Sequence, residues 1–268
     1  MASKPLALVT GASAGIGAAF ARALAARGYN LILVARRRAR LEALAGEFDS
    51  RHGTEAEILE ADLADAAQLA RVEARIREAP DLDLLVNNAG FGITGRFWET
   101  DVAEQDRLHR LHVLASMRLV HAALAGMTVR GRGAIIGVSS VAGFVQSPGS
   151  TTYAASKCWM NSFFEGLDLE LKSIGSPVRL QALCPGFTYT EFHDVAGIDR
   201  KRISAKLWMS AEDVVAASLE GLARGRLFVI PGWRYRLLVR VLQFLPASWR
   251  RAGAIAYARR TRRDRTRT

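Results

Sequence analysis

Several things are scarce in this chain, and each scarcity excludes something. Only two cysteines, Cys158 and Cys184, occur in 268 residues. A disulfide scaffold is therefore not expected, a reducing compartment is, and both thiols read as small apolar packing groups. No stretch of about 18 uncharged apolar residues occurs, so no membrane-spanning helix is expected. Met1 to Leu6 carries neither a charged leader nor an apolar secretory segment, which points to the cytoplasm. No cluster of His, Cys, Asp and Glu reads as a metal site. Lysine is rare, with 5 against 32 arginines. Acids are scarce in one region: from Arg224 to Thr268 there are 13 arginines and one acid, Asp264. The net charge of +11 thus resides in the tail, and any electrostatic attraction to a surface belongs there.

What is present is an alternation. Leu6–Thr10 is a short apolar run, followed by glycines at 11, 15 and 17 and the helical composition AAFARALAARG. Strand, glycine turn and helix follow one another. Gly11 suits the tight turn, Gly15 a close backbone approach to a ligand, and Gly17 close packing of helix on strand. The helix start would face a pyrophosphate with free N–H groups and a positive dipole end. Asn30–Ala35 is a second strand. It ends in Arg36, Arg37 and Arg38 with no acid, which suits a 2′-phosphate better than a 2′-hydroxyl. The other reading is that these arginines simply begin an exposed helix. Strands at 57–61, 83–86, 134–138, 178–182 and 227–230, with helices between, complete the pattern. One α/β domain with a doubly wound, Rossmann-type parallel sheet of about seven strands is expected, its ligand beyond the carboxyl ends of the strands.

The stretch Ser139 to Lys157 carries the candidate chemistry. Tyr153 and Lys157 lie four apart, one helical turn, on one face. An ammonium beside a phenol favours the phenolate and should lower the tyrosine pKa from about 10 towards neutrality. Such a group can act as a general acid or base. Ser140 ends the apolar run AIIGVSS, placed to hold a carbonyl oxygen. Alone, the Tyr–Lys pair is a weak signal.

Taken together, Thr10-Gly11-Ala12-Ser13-Ala14-Gly15-Ile16-Gly17, Asp62, Asn87-Asn88-Ala89-Gly90, Ser140, Tyr153-x-x-x-Lys157 and Pro185-Gly186 resemble the short-chain dehydrogenase/reductase family in order and spacing, over about residues 5 to 190. The resemblance implies an oxidoreductase that interconverts a carbonyl and an alcohol with a nicotinamide cofactor; the arginines make it NADP(H). It implies Tyr153 as proton donor, Ser140 orienting the carbonyl, and Lys157 on the nicotinamide ribose. It places Gly11, Ser13, Gly15, Ile16, Gly17, Arg36, Arg37, Asp62, Leu63, Asn87, Ala89, Gly90, Tyr153, Lys157, Pro185, Gly186, Thr188 and Thr190 around the cofactor. Ser140, Phe187 and Phe192 are the expected substrate contacts. A homodimer or homotetramer paired through the helix of Tyr153 is implied as well. One position departs: His112 stands where the family's catalytic Asn holds a helix kink and a proton-relay water. Either it substitutes in the relay or it merely packs. The different-class alternative is a nucleotide-sensing or membrane-surface binding protein with weak turnover.

Residues 191–209 are polar and poorly periodic, as suits a lid over the substrate. Residues 1–232 are expected to form the catalytic domain, 233–260 a basic, amphipathic helical extension, and 261–268 a disordered tail. The extension either packs on its own domain or a partner subunit, or lies peripherally on an anionic membrane. Nucleic acid is not expected, because no recognition motif accompanies the charge. The apolar residues of lid and tail favour a hydrophobic ketone or aldehyde as substrate.

Overall fold

A computed structural model describes residues 4–197, 200 and 203–265. Seven parallel strands form one sheet in the order β3-β2-β1-β4-β5-β6-β7: β1 Leu6–Thr10, β2 Asn30–Ala35, β3 Ala56–Glu60, β4 Leu82–Asn87, β5 Ala134–Val138, β6 Arg179–Leu183 and β7 Phe228–Val229. The chain winds outward from β1 to β3, returns to β4, and winds the other way. The reversal between β1 and β4 opens a crevice beyond their carboxyl ends, where such sheets bind ligands.

Alternation along the strands builds two cores. Leu8 and Leu85 point to one face, with Leu69, Val72, Leu119 and Phe164 of α3 (Ala66–Arg77), α5 (Ser116–Arg130) and α6 (Thr151–Ser173). Ala7, Val9 and Val86 point to the other face. They meet Phe20, Leu41 and Val214 of α1 (Gly15–Ala25), α2 (Arg38–His52) and α8 (Ala211–Ala223). A period of two puts neighbouring residues on opposite faces, so strands apolar throughout must be covered twice.

Helix α4 (Val102–His109) runs into α5 through a π-helical stretch, Arg110–Ala115, which contains His112. Among the described residues, the run 102–130 is long and apolar enough to cross a membrane by length and composition. Its Leu108, Leu119, Val120 and Met127 are buried within this domain. Helix α7 (Glu191–Val195) begins the expected lid, and residues 198, 199, 201 and 202 of that segment lie outside the described residues.

Two helices close the chain, α9 (Trp233–Phe244) and α10 (Ala247–Arg265). The second runs through residues 261–265, which the sequence suggested were disordered. Arginine is a good helix former and no proline or glycine interrupts that run. Residues 266–268 lie outside the described residues. Tyr235 and Val239 bury one side of α9. Tyr235 packs flat on Gly186, where a Cβ would lie 2.0 Å from the ring. Its hydroxyl accepts from the Phe187 N–H at 3.0 Å and donates to the Leu207 carbonyl at 2.6 Å. The extension thereby fastens both ends of the segment that carries the lid.

Tyr235→Phe removes that double hydrogen bond and leaves a partly buried N–H unpaired. The expected cost is about 1–3 kcal/mol of folding stability, read by urea denaturation.

Candidate active site

The turn after β1 is shaped by backbone freedom. Gly11 and Gly15 adopt φ of 65° and 55°. At Gly17 a Cβ would meet the Gly11 carbonyl at 2.3 Å and the Asn88 side chain at 2.6 Å. Asn88 is the clamp: its amide donates to the Thr10 carbonyl at 2.8 Å. The Thr10 hydroxyl accepts from the Asn88 and Ala89 N–H groups at 2.9 and 3.0 Å. Helix α1 then starts with no side-chain cap at Ala14, so its first N–H groups remain free for an anion.

These residues floor a groove of about 1490 Å³. That exceeds the usual range of about 300–1,000 Å³ for small-molecule sites and suits a dinucleotide plus a substrate. Arg36 and Arg37 line one end with Ser13, and the Arg37 guanidinium donates to the Ser13 hydroxyl at 3.1 and 3.2 Å. Asp62 and Leu63 flank the wall, and Arg107 holds the Asp62 carboxylate at 2.7 Å. Gly11, Gly15, Ile16, Ala89, Gly90, Pro185, Gly186, Thr188 and Thr190 line the groove.

At the far end Ser140, Tyr153 and Lys157 converge. Helix α6 starts two residues before Tyr153 and carries it and Lys157 on one face. Ser140 follows β5; its hydroxyl accepts from the Ala142 N–H at 3.1 Å and donates to the Pro185 carbonyl at 3.5 Å. The Lys157 ammonium donates to the Val138 carbonyl at 2.8 Å and lies 5.7 Å from the Tyr153 ring centre. Phe187 and Phe192 both line this end, and Phe192 rests against Tyr153 with ring centres 5.6 Å apart.

Some expectations need correction. Burial pushes the Tyr153 phenol up to about 12, and the Ser140 hydrogen bond only partly offsets it. The expected lowering by Lys157 is missing because the ammonium sits beyond contact and is itself buried, which brings it down to about 8. Gly17, Asn87 and His112 are not among the groove-lining residues. Asn87 ends β4 buried, with its Nδ2 unpartnered, and Asn88 takes the lining position instead. Cys158 is exposed, so it is not a packing group, whereas Cys184 is buried with its thiol pushed up to about 12. Among the described residues no group of His, Cys, Asp and Glu is placed to hold a metal.

His112 is fully buried. Its Nε2 accepts from the Phe91 N–H at 3.1 Å, so the neutral ring carries its proton on Nδ1, which donates to the Ser156 hydroxyl at 2.9 Å. Ser156 in turn donates to the Tyr153 carbonyl at 2.7 Å. Both ring nitrogens are thus committed, tying the loop after β4 to the helix that carries Tyr153 across the π-helical stretch.

The family profile of the short chain dehydrogenases matches residues 5–200. The chain belongs to that family. The short-chain dehydrogenase of Sphingobium yanoikuyae in complex with NADPH is 36% identical, covers 97% of this chain and 95% of its own, and superposes with a TM-score of 0.81. The bulky-bulky ketone specific alcohol dehydrogenase of Comamonas testosteroni is 34% identical, with 89% and 92% covered and a TM-score of 0.77. A short chain dehydrogenase/reductase of Burkholderia phymatum in complex with NAD is 25% identical, with 89% and 92% covered and a TM-score of 0.78. This short chain dehydrogenase is therefore an oxidoreductase of the carbonyl–alcohol class, and its cofactor is a nicotinamide dinucleotide.

Sequence reasoning missed Asn88, although it stands inside the quoted motif. It also missed Glu191, which enters the groove from across the sheet, and Ile255, which α10 brings to the rim. No local pattern marks the last two.

Burial holds the His112 pKa well below 6.5, with desolvation as the main cause and Lys157 as a lesser one. Below about pH 6.5 the unfolded chain takes up a proton that the folded imidazole refuses. Stability therefore falls as pH falls, by up to about 1.4 kcal/mol per pH unit for this one group. His112→Asn should flatten that acid limb, as seen by urea denaturation at several pH values between 5 and 7.

Proposed function

We propose that this short chain dehydrogenase uses NADP(H) to interconvert hydrophobic ketones or aldehydes and their alcohols. The observation that carries the reading is one groove with two chemically distinct ends. Ser13, Arg36 and Arg37 suit a 2′-phosphate, and Ser140, Tyr153 and Lys157 suit a carbonyl. When bound, the nicotinamide supplies or accepts the hydride. Ser140 orients the carbonyl oxygen by hydrogen bonding. Tyr153, protonated across the physiological range, donates its proton to that oxygen in reduction and regains it from solvent. Lys157, one turn along α6 and lining the same groove, would hold the nicotinamide ribose. His112 is a positioning residue that keeps α6 and the loop after β4 in register. Phe91, Ile93, Phe187, Phe192 and Ile255 give the substrate end apolar walls, and the bulky-ketone specificity of the Comamonas testosteroni relative supports a bulky apolar carbonyl. The complete Ser–Tyr–Lys set favours this over a binding protein without turnover.

The expected outcome is NADPH consumption with bulky apolar ketones, slower with NADH, and abolished in Tyr153→Phe while NADPH still binds. Survival of turnover in that variant overturns the assigned acid. NADPH binding without turnover on any ketone or aldehyde would support the binding-protein alternative.

The same reading extends to partners. The enzyme is a homodimer or homotetramer, and α9 meets an anionic lipid surface. Trp233, Leu237, Val241 and Phe244 recur every three or four residues on α9 and are all exposed, Phe244 at 88%. At 3.6 residues per turn they lie opposite the buried Tyr235 and Val239. Arg234 flanks this stripe on one side and Arg236 and Arg240 on the other. A second copy docking through the stripe would set arginine against arginine, since Asp264 is the single acid after Arg224. Lipid phosphates supply the missing charge, while the stripe enters the acyl boundary. Ile255 on the next helix lines the groove, so such docking would bring its mouth near the bilayer.

Vesicles containing about 30% phosphatidylserine should pellet the protein and pure phosphatidylcholine should not. Val241→Ser with Phe244→Ser should weaken that binding roughly tenfold at unchanged oligomer size. Loss of self-assembly without vesicle binding would make the stripe a subunit interface.

A further inference from the structure

Glu191 opens α7 on the far side of the groove from β2, yet its carboxylate reaches the arginines that follow β2. One oxygen accepts from Arg37 at 2.8 Å and the other from Arg40 at 2.6 Å. Arg37 meanwhile holds the Ser13 hydroxyl. Glu191, Arg37 and Ser13 all line the groove. The β2 end carries no acid of its own, so the acid at this site comes from 154 residues away. The next residue, Phe192, lies on Tyr153. One short helix therefore contacts both ends of the groove.

We propose that Glu191 is a cofactor-specificity residue, an internal anion that competes with the 2′-phosphate of NADPH for Arg37 and can accept a hydrogen bond from the 2′-hydroxyl of NADH. This rests on the reading that Arg37 faces the 2′ position. A phosphate monoester carries about −1.5 to −2 at pH 7. Placing it on Arg37 beside a carboxylate that shares the same guanidinium costs like-charge repulsion, or costs the Arg37–Glu191 pair if the carboxylate withdraws. A neutral 2′-hydroxyl imposes neither cost and donates well to a carboxylate. Both side chains are about half exposed, so the effect is partial and weakens with salt. The enzyme then accepts NADPH with its preference held below what Arg36 and Arg37 alone would give.

The test is the dissociation constant of NADPH and of NADH, measured by calorimetry at low and high salt for wild type, Glu191→Gln and Arg37→Gln. Glutamine keeps the length and an acceptor oxygen while removing the charge. Glu191→Gln should tighten NADPH roughly five- to tenfold at low salt, less at high salt, and leave NADH unchanged or slightly weaker. Arg37→Gln should weaken NADPH by at least about tenfold and spare NADH. If Arg37→Gln behaves so but Glu191→Gln leaves the NADPH/NADH ratio unchanged, the specificity role is wrong and the NADP(H) reading stands. If Arg37→Gln leaves the ratio unchanged, the placement of the 2′-phosphate is itself wrong and the role of Glu191 falls with it.

Discussion

The clamp between Asn88 and Thr10 is the contact on which the rest of the site depends. β1 and β4 are neighbours although far apart in sequence, and the chain reverses its winding direction between them. Asn88 bridges their ends through its amide, its own N–H and the adjoining Ala89 N–H. The bridge leaves no room for a Cβ at Gly11 or Gly17. Gly11 is required by its positive φ as well, and Gly17 by the Gly11 carbonyl together with Asn88. With the turn held, α1 starts uncapped at the groove floor and its N–H groups become the anion end of the site.

Across the groove, burial rather than charge governs the protonation of Tyr153 and Lys157. Tyr153 is held protonated and Lys157 is pulled down chiefly by desolvation. A protonated phenol against Ser140 is the form that reduction needs. His112 belongs to the same buried set. It is kept neutral, and its two nitrogens stitch Phe91 to Ser156. The π-helical stretch around it lets the α4–α5 run reach that position while the helix on either side stays regular.

Strand positions were legible because alternating apolar runs and helical segments carry their own periods. All seven strands fall within two residues of their expected bounds. The glycine turn, the arginines and the Ser140, Tyr153 and Lys157 set were legible because each lies at a strand end or on one helix. What escaped depends on packing between distant segments. Asn88 and not Asn87 lines the groove, since β4 buries Asn87 and releases Asn88. The direction of the Tyr153 pKa turned on its desolvation, which spacing alone cannot give. Glu191 and Ile255 reach the groove by tertiary routes of which no local pattern speaks.

The central proposal is that Tyr153 protonates a carbonyl oxygen oriented by Ser140, in a groove where a nicotinamide, when bound, would supply hydride to the carbonyl carbon. The most direct measurement is transfer of label from NADPH dideuterated at the nicotinamide C4 to a bulky apolar ketone, read by mass spectrometry of the product alcohol. The account predicts one deuterium on the carbinol carbon with wild type and no alcohol with Tyr153→Phe. Unlabelled alcohol, or labelled alcohol formed equally well by the variant, would contradict it.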